Sequence, residues 1–306
     1  LTRPPSVGII VWPGVQVVLG ARQMGDNKSP VGILDSGVGG LSVMREVVRE
    51  LPHEDVLFFA DSIHCPYGRR TYEEIQELTS GIVHFLVSQG AKIVIVACNT
   101  ASAAALQDLR ERFEVPIVGM EPALKPAAKR SGSRVVGVIA TEVTFQGALF
   151  ASLIERFSNG VDVLTRTCPG LVEQVEAGLV AVPTTREMLR ACLSPMIEAG
   201  VDSLVLGCTH YPFLRPLIQE ILGDGVEIFD PSLAVAQQTA RVLKREGLVR
   251  EGGEGRCAFY TSGRPHRFAR MLKELTELRG PVLAVEWAGG AVRPVDGQAQ
   301  VRGGRS

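Results

Sequence analysis

The sequence predicts an α/β chain built around mainly parallel sheets and divided into two related halves that face one cleft. Three observations carry this. Short apolar runs rich in β-branched residues alternate with helical patterns along most of the 306 residues, which implies right-handed β-α-β units. Two of these runs, KIVIVACNTAS at 92–102 and SLVLGCTHYP at 203–212, end abruptly in a cysteine followed by small polar residues. Strand–turn landmarks also recur at similar offsets: VGVIATE begins at Val136, 105 positions after VGILDSG begins at Val31, and Cys208 follows Cys98 by 110.

The elements follow in order. VGILDSG is a strand and sharp turn, LSVMREVVRELP has helical periodicity up to Pro52, and DVLFFADS is a second strand. YEEIQELTSGIVHFLVSQG is a helix with Ile75, Leu78, Ile82, Phe85 and Leu86 as its apolar positions, ended near Gly90. KIVIVACN is a third strand, SAAALQDLRERF a helix and PIVGM a fourth strand. The pattern restarts with RVVGVIAT at 134–141, then helix GALFASLIERF, strand DVLTRTC, helix TREMLRACLSPMIEAG, strand DSLVLGCT, helix FLRPLIQEILG and strand VEIFDP. LAVAQQTARVLKREG is an amphipathic helix, followed by strand FYTSG, helix RFARMLKELTEL and a last strand VLAVEWA.

The termini read differently. Arg3 precedes a mostly apolar stretch, Val7 to Ala21, that loosely resembles a secretory signal, but Pro13 and Gln16 interrupt it and no small-residue cleavage site follows. Met24 is therefore read as the natural start, residues 1–23 as dispensable, and residues 1–30 as an N-terminal extension, disordered or mis-started. The tail over 291–306, rich in Gly, Arg and Gln, is read as disordered.

Composition excludes several classes. Lys+Arg 32 against Asp+Glu 33 leaves a net charge of −1, with no electrostatic footprint for nucleic acid, and aromatics are 6%. No run approaches the roughly 18 apolar residues of a membrane helix. The six cysteines are dispersed and form no C-x-x-C pair, so zinc-ribbon and thioredoxin readings find no support and a reducing cytoplasm is expected. No metal-ligand spacing and no pyridoxal lysine can be identified, so neither metal nor organic cofactor is expected.

The chemistry-bearing residues sit at strand ends, where ligands bind in parallel sheets. Asp35 lies where the first strand breaks into SGVGG, and Gly37, Gly39 and Gly40 let backbone N–H groups approach an anion beside a helix N-terminus. The loop matches neither nucleotide motif, and a purely structural turn is the competing reading. A lone cysteine after an apolar strand is usually packing. Two of them, each followed by hydroxyl or amide groups (Asn99 and Thr100, Thr209 and His210), favour proton transfer by thiols. His210 is placed to exchange a proton with Cys208, against a core-satisfied imidazole. Cys192 and Cys257 read as structural or surface thiols, Cys168 as part of a loop set by Pro169, and Glu176 as a helix-surface carboxylate that reaches the cleft only if its helix turns inward. Cys65 precedes Pro66, Tyr67 and Gly68, a loop whose backbone suits a carboxylate.

Taken in order, GILDSGVGGLSV, ADSIHCPYG, ACNTAS, TEVT, CPGLVEQVE, LGCTHYPFL and FYTSG resemble the glutamate racemases, cofactor-independent members of the aspartate/glutamate racemase superfamily. The resemblance spans about Val31 to Trp287. It implies two pseudo-symmetric α/β domains, placed at 31–121 plus 232–290 and at 122–231, with the active site in the cleft between them. It implies that one thiol removes the α-proton of glutamate while the other protonates the opposite face, Cys98 acting on the D and Cys208 on the L enantiomer. Asp35 is then the assistant of Cys98 and His210 that of Cys208. Implied substrate contacts are Asp35, Ser36, Pro66, Tyr67, Gly68, Asn99, Thr100, Thr141, Glu176, Thr209 and His210, with Thr144 a further candidate.

The resemblance also implies D-glutamate supply for peptidoglycan and a small-molecule substrate, with neither nucleic acid nor membrane as partner. A homodimer is compatible with the chain, though no pairing face can be read. Gln146, where serine is common in the family, and the long N-terminus depart from the pattern. Three alternatives stay open: an aspartate racemase, a decarboxylase relative needing one thiol, and a catalytically silent binding protein.

Overall fold

The computed structural model describes residues 26–295. The extension read at 1–23 and the tail beyond residue 295 lie outside the described residues. Eleven strands and eleven α-helices follow one another in them. β1 (Val31–Asp35), α1 (Leu41–Glu50), β2 (Val56–Ala60), α2 (Tyr72–Ser88), β3 (Ile93–Val96), α3 (Asn99–Arg112) and β4 (Ile117–Gly119) make the first run. A second run comprises α4 (Leu124–Arg130), β5 (Val135–Ala140), α5 (Glu142–Gln146), α6 (Ala148–Phe157), β6 (Asp162–Thr167), α7 (Leu171–Glu176), α8 (Pro183–Glu198), β7 (Ser203–Gly207), α9 (Arg215–Leu222) and β8 (Glu227–Phe229). The chain closes with α10 (Ser232–Arg245), β9 (Cys257–Thr261), α11 (Pro265–Leu275), β10 (Val282–Ala288) and β11 (Ala291–Pro294).

These strands form two sheets, one of order β11-β10-β9-β2-β1-β3-β4 and one of order β6-β5-β7-β8. Every pairing is parallel except β10 with β11. The run β2-β1-β3-β4 in the first sheet repeats as β6-β5-β7-β8 in the second, which places β3 and β7, the two strands that lead into cysteines, at equivalent positions. β3 is apolar along its whole length, β7 is apolar apart from Ser203 at its start, and both are buried. That pattern is expected of interior parallel strands covered on both faces, and each fully buried aliphatic side chain contributes about 1.5–3 kcal/mol.

Three expectations are corrected. Ala291–Pro294 is not tail: it pairs antiparallel with β10 through a two-residue turn at Gly289 and Gly290, whose φ values are 60° and 79°. Positive φ at both positions is what a tight hairpin requires and glycine supplies without strain. Residues 26–30 are not a loose extension either. Asp26 accepts N–H bonds from Lys28 and Ser29, and the Asn27 carbonyl receives the Lys92 ammonium at 2.8 Å. Cys168 and Cys192, read as separate thiols, are joined as a disulfide between the loop before α7 and the body of α8. The two lie 24 residues apart, a separation that is unreadable without the fold. No helix among the described residues is long and apolar enough to cross a membrane.

Candidate active site

The site forms where the two sheets present their carboxyl ends to each other. Cys98 caps α3, its sulfur accepting the Ala101 N–H at 3.4 Å and lying 3.9 Å from the Ser36 hydroxyl. Cys208 follows β7, with its sulfur 3.8 Å from Nδ1 of His210. Both sulfurs are buried. The opposite edge of the His210 ring, Nε2, lies 2.7 Å from Oε1 of Glu176, which also accepts the Val38 N–H at 2.7 Å. Glu176 is therefore turned inward at the end of the short α7, not out to solvent.

Asp35, at the end of β1, is completely buried. Its Oδ1 accepts the Gly37 N–H at 2.9 Å and its Oδ2 accepts the Thr209 hydroxyl at 3.0 Å. Asp35 thus spans the two cysteine-bearing halves. Among the described residues no hydrogen bond joins it to Cys98, so its influence on that thiol is electrostatic. The SGVGG turn is built for close approach: a Cβ at Gly37 would lie 1.9 Å from Glu176 Oε1, and one at Gly39 would lie 2.4 Å from Thr209 Oγ1. Hydrogen atoms alone fit there, which accounts for the glycines that follow Asp35.

Burial and charge set the proton affinities. Burial pushes the Cys98 thiol up to about 12, and the neighbouring Asp35 carboxylate reinforces this. Burial also raises Asp35, a shift partly held back by His210 and by the Gly37 and Thr209 hydrogen bonds. Burial opposes charge on His210, yet its bonds to Cys208, Cys65 and Glu176 lift the imidazole well above its ordinary value. Glu176 likewise resists burial and stays below the usual carboxylate range through His210, Val38 and Cys65. His210 and Glu176 are best described as an imidazolium–carboxylate pair.

The remaining candidates divide. Thr100 and Thr141 meet across the two sheets with their hydroxyl oxygens 2.9 Å apart, and Thr144 extends the chain by a further 2.9 Å contact. The Asn99 amide is buried, and both its polar atoms lack a protein partner; a buried unpaired amide at a helix N-terminus is suited to a ligand. The Tyr67 hydroxyl is committed to Asp61 at 2.7 Å, so only its backbone can serve the cleft. Pro66 precedes it after a cis peptide bond, and Gly68 approaches the Thr141 side chain within 3.0 Å of where a Cβ would stand. Gln146 bonds to Glu142 on an exposed helix face. Sequence reasoning left Cys65 out of the site, but its sulfur lies 3.6 Å from Glu176 and 4.0 Å from Ser36. Its place directly before Pro66-Tyr67-Gly68 was the only signal available.

Comparison with known proteins gives a consistent result. The profile of the Asp/Glu/hydantoin racemase family matches residues 31–239. A glutamate racemase of Stutzerimonas stutzeri is 49% identical over 250 residues, covering 81% of this chain and 94% of its own. Among solved structures, the Escherichia coli glutamate racemase in complex with L-glutamate superposes with a TM-score of 0.75 at 30% identity, covering 85% of this chain and 100% of that one. The Francisella tularensis glutamate racemase in complex with D-glutamate gives 0.74 at 28% identity, with 86% and 98% covered.

Proposed function

The chain belongs to the Asp/Glu/hydantoin racemase family, and from that premise we propose that it interconverts L- and D-glutamate by direct proton transfer between two cysteines. The observation that carries the reading is the equivalence of Cys98 and Cys208: two buried thiols, each at the end of an interior strand occupying the same position in its own sheet. An α-carbon held between them loses its proton to one sulfur and regains one from the other on the opposite face.

The geometry supplies the rest. The α-proton of an amino acid is weakly acidic, and the carbanion must be stabilised by hydrogen-bond donors concentrated around its carboxylate. Ser36, Asn99, Thr100 and Thr209, with the N-terminal N–H groups of α3, are the donors available, and burial strengthens each of them. His210 exchanges the proton of Cys208, held in orientation by Glu176, while Asp35 keeps the proton on Cys98 until substrate arrives. Residues 31–121 with 232–290 form one domain in this reading and 122–231 the other, a division supported by the two sheets. A cytoplasmic location and D-glutamate supply for peptidoglycan accompany it.

The test is α-proton exchange in D₂O from L- and D-glutamate separately, for wild type, Cys98→Ser and Cys208→Ser. Deuterium incorporation with inversion in wild type, and loss of racemisation in both variants, is expected. Absence of exchange with either enantiomer overturns the reading and directs attention to aspartate.

A further inference from the structure

Cys65, Glu176 and His210 come from three separate segments and converge so that one ligand atom from each lies within 4.8 Å of the others. Cys65 stands 111 positions from Glu176, and Glu176 stands 34 from His210, so no spacing motif announces the cluster. From these observations we propose that the three residues form a binding site for a thiophilic divalent cation, Zn²⁺ in the first instance, and that its occupancy shuts down the adjacent Cys208–His210 pair. The site rests on geometry alone; its effect on turnover rests on the racemase reading.

The dimensions fit. Thiolate, imidazole and carboxylate ligands at about 2.0–2.3 Å in tetrahedral array stand about 3.5 Å from one another. The Cys65 sulfur already lies 3.6 Å from Glu176 Oε1. The 2.7 Å separation of His210 Nε2 from the same oxygen must open by less than about 1 Å to meet that array, once the proton between them is replaced by the metal. The charges close as well: a dication is neutralised by one thiolate and one carboxylate. The other ring nitrogen of His210 faces the Cys208 sulfur at 3.8 Å, as the outer partner of a ligating imidazole should.

A cavity of ≈ 820 Å³ between α7 and α11, with Phe268 and Met271 on its wall, reaches both Cys65 and Glu176. Arg264 and Arg267 also line it, and the Arg267 guanidinium is engaged by the Glu176 backbone carbonyl at 3.1 Å. Three protein ligands leave a fourth position for water.

The consequence for chemistry is specific. Binding releases two protons to solvent, one from the Cys65 thiol and one from Nε2 of the His210 imidazolium, and the metal takes the Nε2 position. The ring is then fixed with its remaining proton on Nδ1, toward Cys208, and can no longer gain a second proton as an imidazolium. Cys65 is not one of the two transferring thiols, so comparing its variant with and without the metal separates the two effects.

The test titrates the full chain with Zn²⁺ against a chromophoric chelator and, in parallel, records the visible spectrum with Co²⁺. Wild type is expected to take up one ion per chain, with a thiolate-to-cobalt charge-transfer band, and to lose racemase activity at least about tenfold in step with loading. A stronger chelator restores it. Cys65→Ser is expected to lose the band, weaken binding at least about tenfold, and keep in the presence of Zn²⁺ whatever activity it shows in chelator alone. Cys208→Ser, inactive, keeps both the stoichiometry and the band. Absence of stoichiometric uptake by wild type overturns the proposal, and so does unchanged uptake by a Cys65→Ser chain of wild-type thermal midpoint, which would place the ion on the Cys98 and Cys208 sulfurs. If wild type fails to racemise glutamate, stoichiometry and spectrum still decide the site.

Discussion

Oε1 of Glu176 lies 2.7 Å from Nε2 of His210, which leaves the imidazole clasped between a carboxylate and the Cys208 thiol. Against the cost of burial, the bonds to Cys208, Cys65 and Glu176 hold His210 well above its ordinary value. Glu176→Gln preserves the shape and removes the charge. The His210 value then falls, and the limb of the pH–rate profile that reports its deprotonation moves toward lower pH. The rate should drop by about 10²-fold. An unmoved profile would show that the pair does not govern proton exchange at Cys208.

Gly39 is held to hydrogen by its neighbours. A methyl there would meet Thr209 Oγ1 at 2.4 Å and His210 Nδ1 at 2.5 Å. Gly39→Ala should fold, because the displaced atoms belong to side chains, but it should lose at least about tenfold in kcat, since displacements of about 1 Å are costly to positioned groups. Steady-state kinetics beside a circular-dichroism melt checks both halves of this expectation.

The ion pair of Lys92 with Glu54, 2.6 Å long, leaves the two side chains 0% and 1% exposed. Breaking such a pair strands a buried charge, so Lys92→Met should destabilise the chain by about 3–5 kcal/mol. Lys92→Met combined with Glu54→Leu should recover a large part of that loss, because no charge is left unpaired. Urea unfolding of the three chains measures it; equal losses in the single and double variants would remove the pair from the account.

Asp202 braces the turn before β5, accepting the Gly132 and Ser133 N–H bonds at 2.7 and 2.6 Å. Burial works against it, but the hydrogen bonds from Ser131, Ser133, Ser203 and Gly132 together outweigh it and bring its carboxyl from 3.8 down to about 2. A depressed acid stabilises the fold fully above its unfolded value and loses that contribution as pH falls through the folded one. Thermal midpoints should therefore decline between pH 3.8 and about 2 in a way that Asp202→Asn flattens. Parallel curves for the two chains would contradict this.

The sheets were legible because β1, β3, β5 and β7 are short, mainly apolar runs with abrupt ends. The two cysteines announced themselves by sharing that context. Glu176 was harder: α7 has six residues, too few for a helical period to say which way its last carboxylate points, and only its resemblance to a family motif brought it forward. Cys65 and the Cys168–Cys192 disulfide depend on loops folding back across long separations, which no local pattern encodes. The β11 hairpin was hidden by composition, since Gly289-Gly290 and a short run broken by Arg293 and Pro294, ahead of an end rich in Gly, Arg and Gln, read the same in a turn as in a disordered tail.

The matching strand orders, β2-β1-β3-β4 and β6-β5-β7-β8, place like thiols at like positions but surround them unequally: Cys98 with Ser36 and a helix N–H, Cys208 with an imidazole. For a protein that interconverts mirror images, this inequality meets a strict thermodynamic bound. Enantiomers in water have identical free energies, so kcat/KM must be the same in both directions at every pH. Whatever advantage the imidazole gives one thiol in turnover must therefore reappear, inverted, as a difference in KM. The asymmetry of the two halves can shift which complex accumulates during catalysis, but it cannot make the reaction run to one side.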